Sequence, residues 1–273
     1  MTGPRLPRLI ATDLDGTLLN GEGRCSPRTR AALAAIERAG TRVVLVTARP
    51  PRWLDDLAAV AGEHGIVLCC NGAFVYDVRG RQVLGEHCLA APVVARIAAD
   101  LRSALPGIAF AVESRIGFGR EPRFLDAYTT PSDRAAGRVE ELLDPPPGKM
   151  LARCDDVPAM RFHRLVEEAV GDRAVVSYSG AHGLAEISAV GVTKAAALDD
   201  WCVAQGIDSA EVFAFGDMPN DLPMLAWAGR SFGVANAHAD VLAMVDEVCA
   251  SNDENGVAQV LEALLADRSG SAA

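Results

Sequence analysis

Residues 9–19 read LIATDLDGTLL, and this stretch decides the fold. Its apolar start predicts a buried strand, and Asp13 and Asp15 follow where that strand ends. Because strand side chains alternate with a period of two, acids separated by one residue project to the same side. Gly16 and Thr17 then form a turn signal. The stretch therefore predicts a pair of carboxylates presented at the end of a buried strand.

The segments that follow alternate between helix-like and strand-like patterns. The first helix has clear boundary signals, with Ser26 as a capping residue, Pro27 at its first position and Gly40 after its end. The predicted elements are helix 27–39, strand 43–47, helix 51–64, strand 66–70, helix 193–205, strand 212–215, helix 221–228, strand 231–234 and helix 255–266. This alternation is typical of an α/β fold with a doubly wound parallel sheet, a Rossmann-like core.

The pattern between residues 81 and 186 is less regular. Here the predicted elements are helix 92–105, strand 108–112, strand 149–153, helix 157–170, strand 175–178 and strand 184–187. Strands that follow one another without an intervening helix are typical of α+β structure. We therefore predict an inserted α+β domain at 81–186, with the core formed by 1–80 and 187–273.

The composition limits the class of protein. Half of the 273 residues are hydrophobic, yet no apolar run approaches the roughly 20 residues of a membrane span. A formal net charge of -10 argues against a nucleic-acid partner, because such proteins present basic surfaces. The seven cysteines lack C-x-x-C spacing, which favours reduced thiols. With no visible secretory signal, we predict a cytoplasmic protein without membrane partners, either a monomer or a homodimer.

Polar residues recur at the carboxyl ends of the predicted strands, the edge where open parallel sheets bind ligands. Thr47 and Ala48 follow the second strand, and Thr47 could hydrogen-bond a phosphate oxygen or simply cap a helix. Lys194 lies in the first turn of a predicted helix, where its charge opposes the helix dipole. Either an anion lies nearby, or Lys194 is a solvated surface residue.

A further group of oxygen ligands follows the strand at 212–215. Asp217, Asn220 and Asp221 lie within five residues of one another, and Mg²⁺ prefers oxygen ligands of this kind. The alternative is that Asn220 or Asp221 caps the next helix. We predict a cation site at this edge of the sheet.

Together these residues resemble the motifs of the haloacid dehalogenase superfamily, in particular its Cof-type phosphatases with the larger α/β cap. Residues 13–18 match the first motif, Thr47 the second, Lys194 the third and residues 216–221 the fourth. The inserted segment lies between the second and third motifs, where that cap belongs. Ala48 is a departure, because members commonly carry glycine at this position.

The resemblance implies a Mg²⁺-dependent phosphatase that hydrolyses a small phosphorylated metabolite, such as a sugar phosphate. It implies that Asp13 attacks phosphorus to form an aspartyl-phosphate. Asp15 would protonate the leaving oxygen and then activate water. The carboxylates of Asp13 and Asp217 and the backbone carbonyl of Asp15 would hold Mg²⁺.

The resemblance also implies binding roles around that centre. Thr47, Ala48 through a backbone amide, and Lys194 would bind the phosphoryl oxygens, while Asn220 and Asp221 would support the metal site. An inserted domain can lower polar groups over a site to choose substrates and exclude water. The possible substrate contacts are Arg49, Asn71, Gly72, Glu113, Arg115 and His182.

Three other functions share parts of this pattern. A sugar phosphomutase would use the same nucleophile but pass the phosphoryl group to a second sugar hydroxyl. A signalling receiver domain also uses a phosphorylated Asp, but it has no use for Asp15 or for an inserted domain. A non-catalytic sensor of phosphorylated metabolites is the third alternative, although every reacting residue type is present.

Overall fold

The computed structural model describes residues 6–58, 60–125, 134–135, 137–178 and 182–270. In chain order, the strands are β1 (Leu9–Thr12), β2 (Arg42–Val46), β3 (Ile66–Cys69), β4 (Phe74–Asp77), β5 (Gln82–Glu86), β6 (Ala109–Ser114), β7 (Gly117–Arg120), β8 (Arg134–Ala135), β9 (Lys149–Arg153), β10 (Val175–Ser177), β11 (Leu184–Ser188), β12 (Val212–Gly216), β13 (Arg230–Val234) and β14 (Glu247–Cys249). The helices are α1 (Pro27–Arg38), α2 (Ala91–Ala104), α3 (Ala159–Val170), α4 (Lys194–Gln205), α5 (Leu222–Trp227), α6 (Ala239–Leu242) and α7 (Gly256–Gly270).

These strands form two sheets. The first sheet has eight strands in the order β14-β13-β12-β1-β2-β3-β4-β5. Its neighbours are parallel from β14 to β3 and antiparallel at β4 and β5. The second sheet has six strands in the order β10-β11-β9-β6-β7-β8, and its pairs are antiparallel except for β7 and β8. The predicted fold class, a doubly wound α/β core with separate α+β structure, is confirmed.

The apolar run of β1 forms the middle of the first sheet. Leu9 pairs with Val212 on one side and with Arg42 on the other. Ile10 packs into the core on one face, while Leu9 and Ala11 pack into the core on the opposite face. Since helices cover both faces of such a sheet, its central strands read as continuous apolar runs.

The helix predicted at 51–64 is wrong. The structure has two short 3-10 turns there, Pro51–Trp53 and Asp55–Leu57. Gly62 has a positive φ of +69°, which a right-handed helix does not contain, so a continuous helix cannot run to residue 64. The segment after β2 is therefore an irregular loop, and it lies beside the cavity described below.

Strand β5 lies within the predicted inserted segment, but it pairs with β4 in the first sheet. The second sheet begins at Ala109 and ends at Ser188. The strands thus place residues 82–86 with the core and residues 187–188 with the second sheet, whereas the division of the chain into domains stays a prediction. No helix among the described residues is long and apolar enough to cross a membrane.

Candidate active site

The parallel strands bring the predicted residues to one edge of the first sheet. Asp13 follows β1, Thr47 follows β2 and Asp217 follows β12, and these three strands are neighbours. The Asp13 N–H donates to the carbonyl of Phe215 at 3.0 Å, which continues the sheet pairing into the site. Sequence spacing alone predicted this meeting point, because carboxyl ends of parallel strands share one edge.

Lys194 reaches this edge from the first residue of α4. The side chain of Thr193 caps that helix by accepting from the Ala196 N–H. The Lys194 ammonium is buried, and it donates to Asp13 Oδ1 at 2.5 Å and to Asp221 Oδ1 at 2.6 Å. Anionic partners therefore resolve the conflict between its charge and the helix dipole.

Gly72 packs against the start of the same helix. Its φ is +101°, and a Cβ at this position would lie 2.6 Å from Ala197 Cβ and 2.7 Å from the Thr193 carbonyl oxygen. Both contacts are closer than atoms tolerate, so only glycine fits. Gly72 thus supports the helix that carries Lys194, and it does not line the cavity of the site.

Asp13, Asp217 and Asp221 form an acidic cluster around Lys194. One carboxylate oxygen from each lies within 4.8 Å of the others, and all three residues are buried. Both carboxylate oxygens of Asp221 already accept hydrogen bonds. Its Oδ1 accepts from Lys194, and its Oδ2 accepts from the N–H groups of Asp217 and Met218. Lys194 uses Oδ1 of Asp13, and Thr17 donates to Oδ1 of Asp217 at 2.7 Å.

The second oxygens of Asp13 and Asp217 thus receive no hydrogen bond from the described residues. Gly16 approaches this side of Asp217 so closely, with φ +84°, that a Cβ there would collide with the carboxylate. Carboxylate oxygens are the ligands that Mg²⁺ uses in proteins. The donor set fits a hard divalent cation held by Asp13 and Asp217, with Asp221 behind them.

The acidic cluster carries more negative than positive charge. Burial raises the pKa of Asp13 well above its ordinary value, opposed by Lys194 and assisted by Asp221 and Asp217. Burial likewise raises the pKa of Asp217 to about 6, against the hydrogen bond from Thr17. Burial disfavours the Lys194 ammonium, but Asp13 and Asp221 outweigh it and raise the pKa of this group. A bound cation would offset the excess negative charge and lower the pKa of both carboxyl groups.

Asp15 lies on the open side of the site. Arg49 binds both of its carboxylate oxygens, with Nε 2.7 Å from Oδ2 and Nη2 2.5 Å from Oδ1. The Asp15 side chain is 56% exposed, in contrast to the buried Asp13. The two acids predicted as a pair thus lie in different surroundings, one in the acidic cluster and one at the mouth of the cavity.

Thr47 and Ala48 form a turn opposite the acidic cluster. Thr47 is buried, and its Oγ1 accepts from the Arg49 N–H at 3.1 Å. Among the described residues, the Ala48 N–H has no hydrogen-bond partner, and both residues line the cavity. The hydroxyl and the amide are therefore available to one ligand.

A cavity of about 360 Å³ joins these groups. Its lining includes ten of the predicted site residues: Asp13, Asp15, Thr47, Ala48, Arg49, Glu113, Lys194, Asp217, Asn220 and Asp221. Asn71 lies directly behind the lining, since its side chain accepts from Asn220 and donates to Glu186. The functional roles predicted for these residues stay predictions.

Besides Asn71 and Gly72, two further predicted substrate contacts do not line this cavity. Arg115 lines a second cavity of about 740 Å³, which among the described residues shares Arg52 and Glu113 with the first. His182 is exposed, next to Gly183, and residues 179–181 of the turn expected to carry it lie outside the described residues.

Four residues form a charged wall on the far side of the cavity. Of these, only Glu113 was predicted from the sequence, as a possible substrate contact. Lys149 donates to Glu186 at 2.8 Å, and Arg52 donates to Glu113 at 2.8 Å. Lys149 and Glu186 are 3% and 5% exposed. The charged wall comprises Arg52, Glu113, Lys149 and Glu186, all but Arg52 on strands of the second sheet. Buried Lys and Glu are rare unless paired, but nothing in the linear sequence reveals the pairing.

Comparison with known proteins places the chain in a family. The sequence pattern of the haloacid dehalogenase-like hydrolases matches residues 10–261. The chain is 29% identical to the putative phosphatase YxeH of Bacillus subtilis, over 94% of this chain and 98% of that protein. It is 27% identical to the pyridoxal phosphate phosphatase YbhA of Escherichia coli, over 93% and 97% of the two chains.

The fold agrees with a solved structure. The phosphatase BT1666 of Bacteroides thetaiotaomicron superimposes with a TM-score of 0.79 and 23% identity, over 96% of this chain and 97% of that chain. The chain belongs to the haloacid dehalogenase-like hydrolases, and it is an enzyme of their phosphatase type.

Proposed function

We propose that this chain is a Mg²⁺-dependent phosphatase that releases phosphate from a small phosphorylated metabolite through an aspartyl-phosphate at Asp13. The observation that supports it most is the acidic cluster with its buried Lys194, which opens into a cavity lined by Thr47 and Ala48. The cluster provides a nucleophile and a cation site, and the turn provides neutral donors for phosphoryl oxygens.

Asp13 and Asp217, with the backbone carbonyl of Asp15, would hold the Mg²⁺. The ion would offset the negative charge of the cluster and of a phosphate dianion, which would otherwise repel each other. Lys194 adds a fixed positive charge beside the Asp13 carboxylate at 2.5 Å. Asn220 and Asp221 would support this arrangement from behind.

In the first step, an Asp13 oxygen attacks phosphorus and the bond from phosphorus to the leaving oxygen breaks. Asp15 donates a proton to that oxygen, so the alcohol leaves neutral. In the second step, Asp15 takes a proton from water, which attacks the same phosphorus and regenerates Asp13 with release of inorganic phosphate. Thr47, the Ala48 amide and Lys194 hold the phosphoryl oxygens in both steps.

Arg49 has to release Asp15 before either proton transfer. The guanidinium occupies both carboxylate oxygens of Asp15. We infer that substrate entry separates this pair, because Arg49 also lines the cavity and can turn its donors toward the phosphate.

The cavity volume of about 360 Å³ suits a metabolite of modest size. Beyond the phosphate-binding groups, the lining includes Trp53, Leu151 and Leu184, which present apolar surface to the leaving group. A sugar phosphate, the substrate class that the family resemblance implies, is one candidate within this proposal. The relative YbhA acts on pyridoxal phosphate, so phosphates of heterocyclic alcohols belong in the same test.

The test is release of inorganic phosphate from a panel of both substrate classes, with Mg²⁺ and with a chelator. We expect release from at least one metabolite, and loss of that release when the chelator removes the metal. No release from any member of the panel by folded protein with Mg²⁺ would contradict the proposal. Transfer of the phosphoryl group to a second sugar hydroxyl would indicate a mutase instead.

A further inference from the structure

The turn at residues 47–49 is held from two directions. Its first and third carbonyl oxygens, those of Thr47 and Arg49, accept from the N–H groups of Asn71 and Cys70, each at 2.9 Å. Its middle carbonyl oxygen, that of Ala48, accepts from Lys149 Nζ at 2.6 Å. The core loop thus fixes two of the three carbonyls, and the second sheet fixes the one between them.

The middle carbonyl controls the orientation of the Thr47 hydroxyl. The Ala48 C=O and the Arg49 N–H belong to one planar peptide unit, so fixing the oxygen also fixes the N–H. That N–H donates to Thr47 Oγ1 at 3.1 Å. A hydroxyl that accepts at its oxygen keeps its own hydrogen for another acceptor, and Thr47 lines the cavity. Lys149 therefore acts on the Thr47 donor through a single peptide unit.

Glu186 connects the two sources of support. Its Oε2 accepts from Lys149 Nζ at 2.8 Å and from Asn71 Nδ2 at 2.8 Å. Asn71 is the residue whose backbone N–H holds the Thr47 carbonyl. One buried carboxylate oxygen thus sets the positions of both Lys149 and Asn71 relative to the turn.

We propose that Lys149 is a positioning residue that orients the phosphate-binding turn from the second sheet, with Glu186 fixing its ammonium. The proposal rests on the phosphatase function proposed above, which gives the turn its phosphoryl ligand. It differs from a role in choosing the leaving group. A residue that orients the turn changes binding of the phosphoryl group in every substrate, whereas a selecting residue changes the ranking of substrates.

The experiment uses Lys149→Met together with Glu186→Gln, so that no buried charge is left without its partner. Two quantities are measured: inhibition by inorganic phosphate, and kcat/KM for p-nitrophenyl phosphate and for one metabolite that the wild type hydrolyses. We expect inhibition by phosphate to weaken about 10- to 100-fold and kcat/KM to fall by a similar factor for both substrates.

Arg153→Met is the matched control. Arg153 lies on β9 four residues after Lys149, projects to the same face, and also lines the cavity. Its guanidinium binds Asp155 at 3.0 Å. We expect this variant to keep inhibition by phosphate within about twofold of the wild type, because Arg153 donates to Asp155 and, among the described residues, makes no hydrogen bond to the turn at residues 47–49. Thermal unfolding of each variant reports whether the fold is retained.

A double-mutant cycle with Thr47→Val tests the route through the hydroxyl. If Lys149 acts through Thr47, the two changes together weaken phosphate inhibition by less than the product of their separate factors. A combined factor equal to the product of the separate factors would show that Lys149 does not act through the Thr47 hydroxyl. If the variant with both charges removed does not fold, Lys149→Gln, which keeps a donor on a shorter side chain, replaces it in the same measurements.

Two failures are distinguishable. Unchanged phosphate inhibition in a folded Lys149 variant, beside a wild type that releases phosphate, would overturn the positioning role and leave the phosphatase proposal intact. A loss confined to the larger substrate would make Lys149 a selector of the leaving group, and would also overturn the proposal. Absence of phosphate release by the wild type would instead refute the proposed function itself.

Discussion

The acidic cluster and the charged wall face the same cavity, but their charges are balanced differently. The acidic cluster sets the carboxylates of Asp13, Asp217 and Asp221 against the single ammonium of Lys194. The charged wall pairs Lys149 with Glu186 and Arg52 with Glu113, so its formal charges cancel. A cluster with excess charge needs a ligand to complete it, whereas a balanced cluster is complete without one. This difference supports the roles proposed above, chemistry for the acidic cluster and positioning for the charged wall.

The largest expected effect comes from the nucleophile in the acidic cluster. Asp13→Asn keeps the shape of the side chain but removes its nucleophilicity and its charge, so we expect turnover to fall by at least about 10⁴-fold. Steady-state assays on the best substrate measure this, with circular dichroism as the control for folding. Activity equal to that of the wild type would contradict the mechanism.

Mutations of Asp217 and Asp221 distinguish a residue that binds the metal from one that supports the site. We expect Asp217→Ala to raise the Mg²⁺ concentration for half-maximal activity by roughly 10- to 100-fold, since one anionic ligand is lost. Asp221→Ala changes that concentration less but lowers the free energy of unfolding by about 3 kcal/mol, because two backbone amides and Lys194 lose their acceptor. Metal titrations that ranked Asp221 above Asp217 would reverse these assignments.

We expect mutations in the charged wall to change the free energy of unfolding but not the Mg²⁺ concentration that activity requires. Arg52→Met removes the guanidinium hydrogen bonds from the buried Glu113 carboxylate, so we expect the free energy of unfolding to fall by about 3 kcal/mol. Adding Glu113→Gln removes the buried charge and should restore at least half of that loss. Urea unfolding measures both. A shift in the Mg²⁺ requirement of the folded double variant would show that the charged wall also affects metal binding, and would contradict the proposed difference between the two clusters.

The acidic cluster also predicts how pH affects the metal-free protein. The pKa of Asp217 is raised from its ordinary value of 3.8 to about 6 in the folded protein, so the folded state binds the proton more tightly than the unfolded state. Stability without metal therefore falls as pH rises from about 4 to 6. Mg²⁺ binds the ionised carboxylates, so the rise in Tm on adding Mg²⁺ should be larger at pH 7.5 than at pH 5. An equal rise in Tm at both pH values would contradict the explanation that Mg²⁺ binds the ionised carboxylates of the acidic cluster.

The smallest expected effect concerns Arg115, which was predicted as a substrate contact. It lines the second cavity, and its nearest acidic partner is Glu86 at 3.9 Å. We expect Arg115→Ala to keep kcat/KM within about twofold, as for most exposed ion pairs. A tenfold loss for one metabolite would show that the larger cavity binds part of the substrate.

The sequence predicted the acidic cluster better than the charged wall, and the reason is geometric. Asp13, Thr47 and Asp217 each follow an apolar strand, and a parallel sheet places such strand ends along one edge. They meet here because β12, β1 and β2 are neighbours. Lys149 and Glu186 meet because β9 and β11 pair in a particular antiparallel register, with Glu186 opposite Leu151. Because α3 and β10 lie between these two strands in the chain, no turn fixes their register, and the sequence around Lys149 does not indicate its partner. The loop after β2 was missed because its apolar spacing and the proline at its start both resemble a helix.

The most direct test of the division of roles is to locate the phosphoryl group on the enzyme. Rapid acid quench during turnover, followed by peptide mass spectrometry, would be applied to the wild type, to Asp15→Asn and to the variant with Lys149→Met and Glu186→Gln. With p-nitrophenyl phosphate, whose leaving group needs no proton from Asp15, we expect a phosphoryl group on Asp13 in all three proteins. It should accumulate in Asp15→Asn because the second step lacks its base, and form more slowly in the Lys149 variant. A phosphoryl group on another residue, or hydrolysis without any covalent species in Asp15→Asn, would contradict the account.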